Sequence, residues 1–569
     1  MQTKEKKIVV NGIVYKTKKE TVMEALDEIG IEVPRLCKHP DLKPLATCRM
    51  CVVEANGRIV TSCNTSVSDG MKIETDTKDV VRNRVNNLKL ILSNHTMDCL
   101  NCFRNGDCEL QKLADEFNLP TLFEGEKRTA KPDNSSPSIK IDGNKCILCG
   151  RCVEVCKNQG ISVIDFANRG FNTSISTAFG HSLGDTGCIS CGQCVLYCPT
   201  GALTEKDDRI SVIKTIENKN LFVAVQIAPS IRVSIGEEFG LAPGKNVEGK
   251  IVTALKNIGF DAVFDTSFAA DMTIVEEATE LVKRIKDNKL PMFTSCCPAW
   301  VNYSEMHYPE ILPRLSTSKS PHEMMGALIK SYYAKKNNLD PKNIVVVSIM
   351  PCVAKKDEIS NINFRNDGLV NVDYTLTTRE AAKIFKEYGI ELSDLKDSPF
   401  DMFAQGGTGA GKIFGRSGGV MEAALRTAAF YLGEKNPKIE YDDLKGLKAI
   451  KSSSVDIKGK KIRVAAVNGM LNFINNRDMI MSNFDFIEVM ACPGGCIGGG
   501  GQPQPHSMEK VRLRAKGLNS IDRSSNLRLS HENPVLKKVY KEFLDSPGSE
   551  KAEKYLHRNY MNKKFVVKG

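Results

Sequence analysis

A chain of 569 residues and 62.8 kDa with 41% hydrophobic content is far longer than one typical domain and apolar enough to build cores, so several folded domains are expected. Its charged start, MQTKEKK, has no apolar leader core, and the apolar stretch LFVAVQIAP (221–229) is about half of what spans a bilayer, so no membrane segment and a cytoplasmic setting are expected. The 79 Lys and Arg against 68 Asp and Glu, net +11, are spread without a basic block interleaved with aromatics, which gives nucleic-acid binding no support and suits an acidic redox partner.

In chain order, KIVVNGIVYKT (7–17) reads as two short strands around an Asn-Gly turn, and TVMEALDEIG (21–30) as the helix after them. Twenty cysteines in a chain without a leader argue against a disulfide framework, because cytosolic thiols stay reduced. Their spacing sorts most of them into metal sites. Cys37, Cys48, Cys51 and Cys63 follow a strand–turn–strand–helix pattern that resembles a ferredoxin-type β-grasp domain and point to a [2Fe–2S] site, with zinc as the alternative. His95, Cys99, Cys102 and Cys108 in isolation suit zinc; lying between iron–sulfur modules they read as a [4Fe–4S] site with one imidazole ligand, His95 as a surface residue being the plainer reading.

Two runs with x2-x2-x3 spacing come next, Cys146, Cys149, Cys152, Cys156 and Cys188, Cys191, Cys194, Cys198, the second closed by Pro199 as in bacterial ferredoxins. The fourth cysteine of each such run serves the other cluster, so Cys198 joins the first three and Cys156 joins Cys188, Cys191 and Cys194. Lys157 stands where the first run would carry proline, so its local turn is expected to differ.

From about residue 210 the pattern is α/β. PMFTS leads to Cys296 and Cys297, NIVVVSIMP to Cys352, and FDFIEVMA to Cys492 and Cys496, so five cysteines follow apparent strands, where α/β sheets build their sites. Pro298 fits the first position of a helix, which sets Cys297 among amide donors that favour a thiolate.

TSCCPAW (294–300), MPCVAKKDE (350–358) and EVMACPGGCIGGGGQP (488–503) resemble the three signature segments of the [FeFe]-hydrogenases, and the upstream modules resemble the accessory-cluster domains of the large clostridial-type members. The resemblance covers essentially the whole chain. It implies reversible reduction of protons to molecular hydrogen, with electrons from reduced ferredoxin passing along one [2Fe–2S] and three [4Fe–4S] clusters to an H-cluster. That cofactor would be a [4Fe–4S] unit on Cys297, Cys352, Cys492 and Cys496, joined through Cys496 to a diiron unit carrying carbon monoxide, cyanide and azadithiolate. Fifteen accessory cysteines and these four leave Cys296, which the resemblance makes a proton-relay thiol; a reference thiol pKa of about 8.5 suits reversible transfer.

On EEATELVKR (276–284), Glu277 and Glu280 share a helical face and Arg284 follows at i+4, a pattern that by itself describes a solvated ion-pair face. The resemblance makes Glu277, Ser316, Glu280 and Arg284 the proton path outward from Cys296. It also implies that Lys355 and Ser230, with Ala228 and Pro229, hold cyanide ligands, and that Met350 and Met490 pack beside the diiron unit. His322 stands where some relatives carry glutamine. Gly406 to Lys412 imitates a phosphate-binding loop, but Ile413 replaces the Ser or Thr that must reach magnesium, so ATP hydrolysis is not expected. Beyond Pro503 the chain turns polar and helical, resembling the family's small-subunit region.

The expected architecture is multidomain, α+β and α/β: a β-grasp [2Fe–2S] domain (1–80), a small helical module with one histidine and three cysteine ligands (81–125), a two-[4Fe–4S] ferredoxin-like domain (126–209), an α/β H-cluster domain (210–503) and a wrapping C-terminal region (504–569). A monomer served by diiron maturation proteins is expected. The catalytic subunit of an electron-bifurcating complex is the alternative, although those tend to carry further C-terminal cluster domains and no cysteine follows Cys496. A sensory relative or an iron–sulfur scaffold fits Cys296 and the three full signatures less well. A respiratory NADH dehydrogenase subunit would explain residues 1–208 but give Cys297, Cys352, Cys492 and Cys496 no role.

Overall fold

The computed structural model describes residues 4–120, 125–401, 406–435, 437–457 and 460–563, so the outer ends of the first and last expected domains and the junction at 121–124 lie outside the described residues. The first hairpin forms as its sequence dictates. β1 (Lys6–Val10) pairs antiparallel with β2 (Ile13–Thr17), Val10 opposite Ile13, which leaves Asn11 and Gly12 to turn the chain at φ 49° and 82°. α1 (Val22–Glu28) starts in a reciprocal cap between Thr21 and Glu24. With β3 (Val52–Ala55), β4 (Arg58–Thr61) and β5 (Met71–Glu74) the strands form one sheet in the order β2-β1-β5-β3-β4, and α1 buries Val22, Met23 and Leu26 against Ile8, Val53 and Ile73.

α2 (Lys78–Asn94) straddles the boundary drawn after residue 80. Its Arg84 guanidinium donates to the Val52 carbonyl at 2.8 and 3.1 Å, so the helix is packed on the β-grasp sheet while its far end delivers His95 to the next module.

The two ferredoxin-like runs build α3 (Arg151–Asn158) and α4 (Gln193–Tyr197), each entered through a left-handed glycine, Gly150 and Gly192, directly after a cysteine. α4 stops before Cys198-Pro199, as the backbone restriction ahead of proline requires. α3 instead continues through Cys156 and Lys157 to Asn158, three residues further than α4, and the Lys157 ammonium pairs with Asp165 at 3.1 Å.

The C-terminal two-thirds carry two four-stranded sheets. In the first, β6 (Phe222–Ile227), β7 (Ala262–Asp265), β9 (Ile344–Met350) and β10 (Tyr374–Thr377) run parallel in the order β7-β6-β9-β10. In the second, β8 (Met292–Phe293), β13 (Phe486–Met490) and β12 (Lys460–Asn468) are parallel and β11 (Ile450–Ile457) closes the edge antiparallel. β6 (FVAVQI), β9 (IVVVSIM) and β13 (FIEVM) are largely apolar runs because both faces of the sheet are covered there, whereas the edge strand β11 (IKSSSVDI) is polar and partly exposed. α5 (Thr266–Lys286), α6 (Pro298–His307) and α7 (Gly419–Tyr431) pack between and over them.

The glycine-rich segment at 406–426 is no phosphate cradle. It lies against α5, where a Cβ on Gly407 would come within 2.3 Å of the Ser267 backbone, and Thr408 donates its hydroxyl to Asp271 at 2.6 Å. Beyond residue 503, α8 (Met508–Ser524) and α9 (Glu550–Leu556) are joined by a stretch whose Leu536, Val539 and Leu544 enter the core beside Phe268 and Met324.

Candidate active site

The cysteine groups expected from spacing assemble in space. In the β-grasp domain the Cys48 thiol hydrogen-bonds to Cys37 and the Cys63 thiol to Cys51, which draws Cys37 and Cys51 below the usual thiol range. Four buried sulfurs side by side suit a soft metal or cluster. In the next module Cys102 lies beside both Cys99 and Cys108, and Lys145 neighbours both Cys99 and His95. His95 is buried, not at the surface; burial and then Lys145 push its pKa down to about 4, and Nδ1 has no hydrogen-bond partner. A neutral imidazole with an unspent nitrogen fits a ligand.

The exchange between the two runs is visible. One cavity is lined by Cys146, Cys149, Cys152 and Cys198, the other by Cys188, Cys191, Cys194 and Cys156. Burial pushes the Cys146 thiol up to about 11 and Cys188 to about 12, so thiolates there call for cationic partners such as iron.

A larger cavity, with about 700 Å³ between its lining atoms, opens at the carboxyl ends of strands from both sheets. Ala228, Pro229 and Ser230 follow β6, Cys296 and Cys297 follow β8, Met350 and Cys352 end β9, and Met490, Cys492 and Cys496 end β13. Pro298 is the first residue of α6, and the Ala299 and Trp300 amides face the Cys297 sulfur; burial nevertheless outweighs them and raises its pKa. Burial likewise pushes Cys352 up to about 12 and raises Cys492 and Cys496 well above the usual thiol range. Four thiols in a medium hostile to charge fit a cationic iron–sulfur unit.

Two further observations test the fit of a ligand-bearing diiron unit. The Ser230 hydroxyl is buried with no hydrogen-bond partner, and the buried Lys355 ammonium lines the same cavity. Both are donors that acceptor ligands on a metal would satisfy. The glycine run leaves no slack: a Cβ on Gly499 would meet the Pro351 carbonyl at 2.2 Å.

The Glu277 face of α5 is not a solvated ion-pair surface. Glu277 is fully buried; one carboxyl oxygen accepts from the Ser295 amide at 3.3 Å and the other has no partner. Burial pushes its pKa up to about 8, with the Glu280 charge adding to the rise, so it carries a proton at neutral pH. Cys296, also buried, is raised by burial and then by Glu277 beside it. Ser316 contacts Glu277 and donates to Glu280 at 2.9 Å, and Arg284 donates to the other Glu280 oxygen at 2.9 Å.

Sequence reasoning missed Glu358. Its buried Oε2 accepts from Lys355 at 2.5 Å and from the Ser320 hydroxyl at 3.0 Å and lies 2.6 Å from His322 Nε2, so it orients two cavity-lining side chains. The i, i+3 spacing of Lys355 and Glu358 was the available signal.

The dicluster region abuts this cavity. Cys191 is an electrostatic neighbour of Cys352 and Cys492, Gln193 donates to the Gly498 carbonyl at 3.0 Å, and a Cβ on Gly192 would strike Val353 at 2.5 Å. On its other side Arg151, 3% exposed, joins three modules: it pairs with Glu109 at 2.8 Å and donates to the Lys38 carbonyl at 3.2 Å.

Family models match in the same order as these sites. They are a 2Fe-2S iron-sulfur cluster binding domain at residues 5–78, the NADH-ubiquinone oxidoreductase-G iron-sulfur binding region at 84–121, and a 4Fe-4S dicluster domain at 145–202. The C-terminal domain of the iron only hydrogenase large subunit follows at 221–500, and the iron hydrogenase small subunit at 508–563. The chain is 41% identical to iron hydrogenase 1 of Clostridium pasteurianum, covering 98% of this chain and 100% of that one. It is 41% identical to the NADP-reducing hydrogenase subunit HndD of Solidesulfovibrio fructosivorans, over 95% of this chain and 96% of that one. Among solved structures, the apo [FeFe]-hydrogenase HydA1 of Chlamydomonas reinhardtii superposes on 63% of this chain and all of that one, with a TM-score of 0.57 and 36% identity.

Proposed function

The chain belongs to the iron hydrogenases of the [FeFe] class, and from that premise we propose how its residues carry electrons and protons to one cavity. It is an enzyme that reduces protons to molecular hydrogen at an H-cluster served by accessory iron–sulfur clusters. The H-cluster supplies, when bound, the redox chemistry that joins protons and electrons.

On the proton side, Cys296 presents its thiol hydrogen to the cavity. Glu277, neutral at pH 7, restores that hydrogen; Ser316 passes a proton to Glu277 from Glu280; and Arg284 holds Glu280 toward solvent. In hydrogen uptake the same groups work in reverse. The observation that carries this reading is the buried Glu277 carboxyl, which lies beside Cys296 and Glu280 and is reached by Ser316. Glu277→Gln keeps shape and hydrogen bonding but cannot release a proton. The expected result is about a 10²–10⁴-fold fall in hydrogen evolution with the infrared bands of the bound carbon monoxide and cyanide unchanged; a wild-type rate would overturn the path.

On the electron side, Cys297, Cys352, Cys492 and Cys496 would hold the H-cluster's [4Fe–4S] unit, and Lys355 and Ser230 would donate to cyanide ligands of the diiron unit. Cys37, Cys48, Cys51 and Cys63 hold a [2Fe–2S] cluster; His95, Cys99, Cys102 and Cys108 and the two exchanged dicluster sets hold three [4Fe–4S] clusters. With clusters bound, the β-grasp module and the module built around His95 would both lie next to the Cys146, Cys149, Cys152, Cys198 site, and the Cys191 side would lie next to the active site. The Arg151 junction supports this arrangement.

Reduced ferredoxin as donor, dedicated maturation proteins, a cytoplasmic monomer and five units bounded near residues 80, 125, 209 and 503 complete the reading; among the described residues no helix is long and apolar enough to cross a membrane. The likeness to an NADP-reducing hydrogenase subunit favours one second reading, the catalytic subunit of a nicotinamide-linked complex. Hydrogen production by the isolated chain from ferredoxin, with none from NADPH, selects the first.

A further inference from the structure

The outer end of the proton path is built by the C-terminal segment. Glu280 and Arg284 open onto a polar groove of about 1540 Å³, open solvent included, whose far wall comes from Pro547, Gly548, Glu553 and His557. The segment is stitched to the path: Lys319 donates its amide to the Leu556 carbonyl at 2.7 Å, Arg558 donates its amide to the Thr317 carbonyl at 2.8 Å, and the Tyr560 hydroxyl donates to the Ser316 carbonyl. These bonds flank Ser316 and Thr317, and the Thr317 amide in turn donates to Glu280 Oε2 at 3.1 Å.

His557 sits at this junction with both ring nitrogens engaged. Nδ1 is 2.7 Å from the Thr317 hydroxyl and Nε2 is 3.1 Å from Glu276 Oε2. Glu276 is itself buried and accepts from the Tyr540 hydroxyl at 2.5 Å and the Gly548 amide at 2.9 Å. Both nitrogens therefore face groups able to accept, which is the arrangement an imidazolium needs, and the ring still borders the groove.

We propose that His557 is the proton-collecting residue of the path, a positioning group that loads Glu280 from solvent. The imidazole takes a proton from the groove, becoming an imidazolium held by Glu276 and Thr317; it releases that proton to groove solvent beside Glu280, whose carboxylate accepts it, and the neutral ring returns. In hydrogen uptake the transfer reverses. A side-chain carrier at the mouth spares the Glu280 carboxylate from waiting for hydronium, which is dilute near neutrality. The groups that set its charge are Glu276, Glu280 and Glu553 on one side and Lys283, Arg284 and Arg314 on the other, with Asp287 and Lys289 completing the charged lining.

The inference rests on the path through Glu280, so Glu280→Gln is measured alongside. The experiment follows hydrogen evolution by fully loaded enzyme from reduced viologen between pH 5.5 and 8.5, for wild type, His557→Gln and His557→Ala. The variants are expected to match wild type near pH 5.5 and to fall about 3- to 10-fold behind by pH 8, with a larger solvent isotope effect, and added imidazole should restore His557→Ala. Unchanged profiles in both variants while Glu280→Gln is slow would overturn the role of His557 and leave the path standing. A loss equal at every pH and untouched by imidazole would mark a structural residue and overturn it too. Glu280→Gln at the wild-type rate would overturn the path and this proposal with it.

Discussion

In the proposed reading, electrons and protons reach the same cavity through opposite kinds of structure. The electron side, residues 1–209, is a series of small modules in which close-spaced cysteines supply nearly every donor, and one buried arginine, Arg151, ties three of them together. The proton side has no module: Cys296 follows a strand, Glu277 and Glu280 lie on α5, Ser316 lies on a loop, and the C-terminal segment closes the mouth. Metal sites need several ligands at fixed separation, which short loops provide. Proton transfer needs only single groups in hydrogen-bond reach, and any element can contribute one.

The sharpest way to break this comparison is at the point where the two sides meet. Cys352→Ser should abolish hydrogen production and the infrared bands of the active-site ligands while the electron paramagnetic signals of the accessory clusters persist. Loss of all signals together would mean that the sides are not separable. Ser316→Ala comes next: removing the hydroxyl between Glu277 and Glu280 should lower turnover by about 10²-fold, with every cluster signal retained. Equal rates would show that water alone bridges the gap.

Burial of Glu277 also leaves a mark on stability. Its folded pKa of about 8 lies above the ordinary glutamate value of 4.5, so between those values the folded state holds a proton that the unfolded chain releases. Stability is full below about pH 4.5 and falls as pH rises through about 8, by several kcal/mol in order of magnitude at about 1.4 kcal/mol per unit. Glu277→Gln should remove that slope from the melting temperature; an unchanged slope would place the carboxyl in a wetter setting.

On the electron side, Arg151→Met should loosen the N-terminal modules at a cost of about 1–3 kcal/mol in their local stability, read by hydrogen exchange, and slow ferredoxin-driven more than dye-driven turnover. Smallest is Thr21→Ala, which removes one side of the α1 cap and should cost the β-grasp domain about 1 kcal/mol without touching turnover.

The same contrast decides what the sequence could tell. Cysteine spacing grouped Cys146, Cys149 and Cys152 with Cys198, and Cys188, Cys191 and Cys194 with Cys156, and each group lines one cavity. The Asn11-Gly12 hairpin, the capped α1 and the strands ahead of Cys297, Cys352 and Cys492 were equally legible as local patterns. What local pattern misread was environment. Glu277, Glu280 and Arg284 have the spacing of a surface ion-pair face, and only the packing of α5 against the Ser295 and Ser316 segments buries the first of them. Glu358 escaped notice because its partner His322 comes from another element, and the boundary at residue 80 missed that Arg84 anchors α2 to β3.

The central claim is that Cys296, the thiol left over when every cluster ligand is assigned, hands protons between the cavity and Glu277. Its most direct test is anaerobic hydrogen evolution by Cys296→Ala, matured with the diiron machinery and checked for full iron and wild-type infrared bands. Intact cofactors with turnover reduced about 10²–10⁴-fold are expected; undiminished hydrogen production from that fully loaded variant would remove Cys296 from the proton path.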